Sequence, residues 1–386
     1  MNIDVIEDRI KGLIYGNCLG DAVGLTTEFK FKSDVNPSDY KFPYSDSIRG
    51  YQVCDWTDDS DQMILIMEML TKFELKITPD LATAFAKRLY EWVHHGFPEL
   101  GDKCGMGLGG STVAVVNHEK FLEDPFNASY EVWNNSGRKL APNGSLMRTS
   151  ILSAMPDLSL VETASVNLGR ITHIDPRCVS SCVIFNYILH ELIYNPPCDA
   201  SDCDAILVSA IKMGQKYIQM NTNPQTKPTE TETTPDYYID SRFKTREEEL
   251  AWYLKTTWMS QTAINELELD SAKTNGATIG YVFKTFGCAI YALRVIKVSL
   301  KENLIPSFKK IIECIVKEAG DADTNASVVG AMIGSYLGFS KLPADWVESL
   351  PNREWLDQKI NAFLVELRKS TPDLDKPDLQ TETQIV

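Results

Sequence analysis

Carboxylates and hydroxyls gather at two places far apart in the chain. Trp56-Thr57-Asp58-Asp59-Ser60-Asp61-Gln62 is one, and Ala319-Gly320-Asp321-Ala322-Asp323-Thr324-Asn325 is the other, on a turn that Gly320 permits. Each precedes an apolar run of helical period. Taken alone, either reads as a helix cap whose acids answer the helix dipole, with Asp323 or Thr324 starting a helix over Ser327 to Leu337. One or two residues suffice for a cap. Three aspartates at one terminus repel each other unless a cation lies between them, and hard divalent ions take oxygen ligands of this type. Two such clusters predict a site for two cations, suited to polarising an oxygen and orienting a water.

Further candidates lie elsewhere. Gly16-Asn17-Cys18-Leu19-Gly20-Asp21-Ala22-Val23-Gly24 embeds Asp21 among small residues, and Glu28 follows about two helical turns later. On its own Glu28 reads as an exposed loop carboxylate. Pro142-Asn143-Gly144-Ser145-Leu146-Met147-Arg148 could present backbone amides to a phosphate, although an ordinary Asn-Gly turn capped by Ser145 has the same sequence. Gly105-Met106-Gly107-Leu108-Gly109-Gly110-Ser111-Thr112 is glycine-rich but carries neither a Walker nor a dinucleotide fingerprint. His173 precedes a helical segment, and a lone histidine is ordinarily a structural hydrogen-bonder.

The elements that must position these residues are helices. Apolar residues return at helical spacing over 61–73, 80–93 (with Asp80 as N-cap), 180–194, 204–220, 276–299, 305–319 and 328–337, and strand alternation is nearly absent. The expected fold is all-α, a compact single-domain orthogonal helical globule over residues 1–369 with a central binuclear metal cleft. Residues 221–236, rich in Thr, Pro and Glu, are expected to be a flexible surface insertion, and 370–386 a disordered tail.

The chain has 386 residues, 38 Lys plus Arg against 53 Asp plus Glu, and a net charge of −15. That balance argues against nucleic-acid binding and against docking on anionic lipid. Nine scattered cysteines without zinc spacing, an acidic start and no long apolar run point to a cytoplasmic protein, with nuclear access left open. A monomer is expected.

Together the motifs resemble the ADP-ribosylglycohydrolase family, of the dinitrogenase reductase-activating glycohydrolase and ADP-ribosyl-acceptor hydrolase type. The order fits from about Ile6 to Phe339: Gly20-Asp21-Ala22-Val23-Gly24, Glu28, Thr57-Asp58-Asp59, Asn143 to Arg148, Thr172-His173 and Gly320-Asp321-Ala322-Asp323-Thr324-Asn325. The resemblance implies an all-α fold and two Mg²⁺ or Mn²⁺ held by Thr57, Asp58 and Asp59 from one side and Asp321, Asp323 and Thr324 from the other. It implies hydrolysis at C1″ of ADP-ribose conjugates of a protein or small molecule, with Glu28, Asp59 and Asp323 as catalytic carboxylates. Asp21, Asn143, Gly144, Ser145, His173, Gly109 and Ser111 would contact substrate. One departure stands out: relatives acting on ADP-ribosyl-arginine carry Asp-x-Gly-x-x-Thr where this chain reads Gly107-Leu108-Gly109-Gly110-Ser111-Thr112. Asp102 could substitute only if the loop folds back. An inactive, crystallin-like ADP-ribose binder and a binuclear phosphoesterase are the alternatives.

Overall fold

A computed structural model describes residues 2–224, 242–260, 263–271 and 279–372. Fifteen α-helices follow one another among these residues: α1 (Ile3–Gly24), α2 (Asp58–Lys72), α3 (Pro79–His95), α4 (Gly110–Val116), α5 (Pro125–Asn135), α6 (Leu158–Arg170), α7 (Pro176–Tyr194), α8 (Ala200–Ile218), α9 (Arg246–Met259), α10 (Ala263–Glu266), α11 (Val282–Lys301), α12 (Phe308–Val316), α13 (Ala322–Leu337), α14 (Ala344–Ser349) and α15 (Arg353–Ser370). No strand occurs among the described residues; extended pairing is confined to a single antiparallel bridge between Pro142 and Tyr281. The fold is therefore all-α, and no helix is long and apolar enough to cross a membrane among the residues described.

The centre of the molecule is the α1–α13 pair, and its packing explains the small residues noted in both segments. A Cβ built on Gly16 would lie 2.2 Å from the Gly330 carbonyl oxygen, and one on Gly330 would lie 1.9 Å from that of Gly16. Only glycine allows the two backbones to approach so closely. α13 also packs on α11, α12 and α7, and α2 lies against α1 and α15. One apolar core runs through these helices, with a small satellite formed by Val166, Val179, Val183, Tyr217 and Met220.

Several boundaries differ from those read in the sequence. α13 begins at Ala322, so Asp323 and Thr324 lie inside its first turn and Asp321 takes the N-cap position without a side-chain cap bond. α3 begins at Pro79 with Thr78 before it, so Asp80 is a first-turn acid and not the cap. Proline at the first helical position costs no hydrogen bond, which moves the start forward. Ser370 closes α15, and Thr371 is buried with its hydroxyl on the Leu367 carbonyl, so ordered chain extends past the boundary drawn at 370. Most of the insertion expected at 221–236, and residues 373–386 of the expected tail, lie outside the described residues. All nine cysteines are free thiols.

Candidate active site

The two acidic clusters are brought together by backbone packing before any ligand is considered. A Cβ on Gly24, the last residue of α1, would lie 2.3 Å from the Cα of Asp323, so the end of α1 meets the start of α13. The Phe29 amide donates to the Gly320 carbonyl at 2.7 Å and the Gly320 amide to Lys30 at 3.2 Å, which fastens the Glu28 loop to the Asp321 loop. Asp21 docks α2. Its carboxylate accepts from the Thr57 amide (3.0 Å) and hydroxyl (2.8 Å) and from the Ser60 amide (3.0 Å) and hydroxyl (2.7 Å). Burial pushes Asp21 up to about 6, while these bonds hold it down.

Around this frame the acids converge. One oxygen each from Glu28, Asp321 and Asp323 lie within 4.8 Å of one another, and so do oxygens of Asp21, Asp59 and Asp323. Asp59 accepts from the Ser327 hydroxyl at 3.1 Å and the Thr324 hydroxyl at 3.3 Å. Asp58 accepts from Gln62 Nε2 at 2.8 Å, and Asp321 from Asn143 Nδ2 at 2.7 Å. Glu28 pairs with Arg49 and shares a hydrogen bond with Asp323. Burial, and then the negative neighbours, push Asp58, Asp59 and Asp323 well above the ordinary carboxylate range. Burial also raises Glu28 and Asp321.

Such a set is costly as bare carboxylates, because among the described residues one side-chain cation, Arg49, pairs with it. It fits a hard divalent ion: every donor is oxygen, and the hydroxyls of Thr57 and Thr324 direct protons onto neighbouring carboxylates, which leaves lone pairs available. Of the six expected ligands, Asp59, Asp321 and Asp323 fall in groups whose oxygens could share an ion, Asp58 and Thr324 line the same cleft, and Thr57 lies behind it on Asp21.

A cleft opens above the acids. Asp58, Asp59, Asp321, Asp323 and Thr324 line its floor, and Glu28 and Phe29 line one side. Gly109, Ser111, Asn143, Gly144 and His173 also line it. Two residues expected to touch substrate do not reach it. Asp21 is fully buried, with both carboxylate oxygens taken by Thr57 and Ser60. Ser145 is fully buried too, against Cys182. Both face the core because they join elements behind the cleft. Asn143 reaches the cleft, but its amide N–H is taken by Gly280 at 3.0 Å and its side chain by Asp321 and Thr285.

Sequence reasoning missed Arg49, Tyr51 and Phe29. They belong to or flank the irregular stretch between α1 and α2, where no periodicity marks a side chain's direction. Phe29 is exposed on the cleft wall beneath the Arg49 guanidinium, 5.3 Å from the ring centre.

The family model for ADP-ribosylglycohydrolase matches residues 2–373. The chain belongs to the ADP-ribosylglycohydrolase family. It is 23% identical over 375 residues to ADP-ribosylarginine hydrolase Tri1 of Serratia proteamaculans, covering 95% of this chain and 81% of that protein. It is 24% identical over 358 residues to ADP-ribosylhydrolase ARH3 of Danio rerio, covering 88% and 85%. A solved structure titled ADP-ribosylglycohydrolase-related protein complex superposes with a TM-score of 0.56 at 18% identity over 95% of this chain and 99% of that one, a likeness of fold. Membership makes this chain a glycohydrolase.

The family's Asp position before Thr112 has a physical reading here. Gly107 has φ of +90°, and a Cβ on it would lie 2.4 Å from Asp58 Oδ1 and 2.7 Å from the Tyr51 hydroxyl. The positive φ disfavours any L side chain here, and an aspartate would require the Asp58 and Tyr51 side-chain ends to move aside. Asp102 does not fold back to replace it: its carboxylate accepts from the Phe97 amide at 2.9 Å, at the end of α3.

Proposed function

We propose that this chain hydrolyses the C1″ glycosidic bond of ADP-ribose conjugates in a reaction dependent on two divalent cations, Mg²⁺ or Mn²⁺. The observation that carries the reading is the convergence of Glu28, Asp58, Asp59, Asp321 and Asp323 on one cleft. When bound, the cations supply Lewis-acid polarisation and neutralise the carboxylates, which lets an anionic diphosphate approach. Glu28 accepts the proton of the attacking water or orients it. Burial raises its pKa, as suits a group that takes up a proton, while the hydrogen bond with Asp323 and the Arg49 ion pair oppose that rise without cancelling it. Asp59 and Asp323 stabilise positive charge developing at the anomeric carbon. Gly144 and the Gly109–Ser111 backbone hold the diphosphate end, so that binding energy there positions C1″.

The names of the relatives support this class; that of Tri1 gives arginine as the acceptor, and that of ARH3 gives none. The reading is tested with arginine-linked and serine-linked ADP-ribosyl peptides, with and without Mg²⁺. Asp321→Ala and Glu28→Ala should each abolish ADP-ribose release, by about a thousand-fold or more, in proteins with unchanged circular dichroism. Full turnover in both variants, with EDTA harmless, removes the assignment.

A further inference from the structure

Arg148 closes the Asn143–Arg148 motif yet has no part in the chemistry above. It is fully buried, and a chain of hydrogen bonds runs from it in two directions. Its NH1 donates to Gln62 Oε1 at 2.9 Å, and Gln62 Nε2 donates to Asp58 at 2.8 Å. Its NH2 donates to Thr172 Oγ1 at 2.7 Å, and Thr172 Oγ1 meets His173 Nδ1 at 2.7 Å. Three side chains, Gln62, Arg148 and Thr172, thus link the cleft-lining Asp58 carboxylate to the cleft-lining histidine.

A guanidinium can only donate, which fixes the amide orientation of Gln62 and leaves the Thr172 proton unused by Arg148. Because Gln62 must accept from Arg148 with its oxygen, it must present its NH₂ to Asp58. Because Thr172 accepts from Arg148, its single proton is free to go to His173 Nδ1. A Thr172 proton placed there makes Nδ1 the acceptor and puts the ring proton on Nε2, the nitrogen left to face the cleft beside Gly144. Burial, and then Arg148, hold His173 down at about 3, so the ring is neutral. A neutral ring with its proton on Nε2 is a donor and not a base.

We infer that Arg148 is a positioning residue: through Thr172 it fixes His173 as a neutral Nε2–H donor aimed at an anionic or hydroxyl oxygen of the ligand, and through Gln62 it delivers an N–H to Asp58. The ligand named here rests on the ADP-ribose reading. The tautomer does not, because it belongs to the ligand-free protein.

The test is long-range ¹H–¹⁵N correlation on histidine-labelled, ligand-free protein at pH 7, with His173 assigned from a His173→Gln spectrum, together with ADP-ribose and Mg²⁺ titration calorimetry. The wild type should show the Nε2–H pattern at His173. Thr172→Val, which keeps shape but loses the hydroxyl, should move it toward Nδ1–H or a mixture and weaken ADP-ribose binding at least about five-fold, and Thr172→Ser should restore both. Arg148→Met, if folded, should weaken Mg²⁺ as well as ADP-ribose; Thr172→Val should leave Mg²⁺ affinity unchanged. A protonated or Nδ1–H His173 in the wild type, or an unaltered pattern in Thr172→Val, overturns the relay. The stated tautomer together with no ADP-ribose binding at all upholds the relay and instead removes the functional reading.

Discussion

Asp21 and Gly107 show how far a side chain's role depends on what faces it. The family resemblance made Asp21 an expected substrate contact; in the fold it is the socket for α2, with four donors on one carboxylate. Asp21→Ala would orphan the Thr57 and Ser60 donors, at about 1–3 kcal/mol each where they stay dry. The variant should therefore fall in denaturant midpoint and also lose Mg²⁺ affinity, since Thr57 to Asp59 are no longer held; calorimetric titration of the folded fraction reads the second effect. Gly107→Asp makes the opposite point. Restoring the aspartate of arginine-specific relatives should lower activity on every conjugate, because the new Cβ meets Asp58 Oδ1 and the backbone has φ of +90°. A gain of arginine-linked turnover would show that the loop rearranges.

At the scale of elements, the α1–α13 contact does the work that the acids cannot do for themselves. Carboxylates repel, so the packing of Gly16 on Gly330 must hold them near one another. Gly330→Leu should cost more than about 3 kcal/mol of unfolding free energy, by urea denaturation, through forced separation of two backbones. A second frame holds the opposite wall. Burial alone would raise Asp175, but Arg177 and Arg246 outweigh it and hold the carboxyl down at about 2. Arg177 donates to both Asp175 oxygens at 2.9 Å and lies over the Tyr281 ring, and Tyr281 pairs with Pro142, next to Asn143. The cluster fixes the start of α7 against the start of α11. The helices were legible in the sequence because their apolar stripes repeat. Their starts were less so, because Pro79 and Asp321 change where a helix begins without changing its period.

For the whole molecule the charge of −15 acquires a location. Asp58, Asp59 and Asp323 have folded pKa values raised above those of the unfolded chain by burial first. The native state therefore holds protons that the unfolded state releases above the ordinary carboxylate range near pH ~4. Their contribution to stability is complete below that range and is lost as pH rises through the folded values; Asp21, pushed up to about 6, follows the same sign. Cation-free protein should thus melt at a lower temperature as pH rises from 5 to 8. With Mg²⁺ the ionised carboxylates are the ligands, so the gap between the two melting curves should widen over the same interval. Scanning calorimetry with EDTA and with Mg²⁺ measures it; a gap independent of pH would mean that the acids do not hold the ion.

The sequence by itself determined the helical class, the acidic clusters and the family, because periodicity, composition and motif order are written in one dimension. Thr57-Asp58-Asp59 and Asp321-x-Asp323-Thr324 stood out as candidate ligand sets before their distance apart in space was known. Only the tertiary structure decided which polar residues face the cleft. Asp21 and Ser145 turn inward, Arg49 comes to Glu28 from a loop with no period, and Arg148 joins Asp58 to His173 across α2 and two non-helical connections. These assignments depend on direction, and a side chain's direction is set by the packing of segments far apart in the chain.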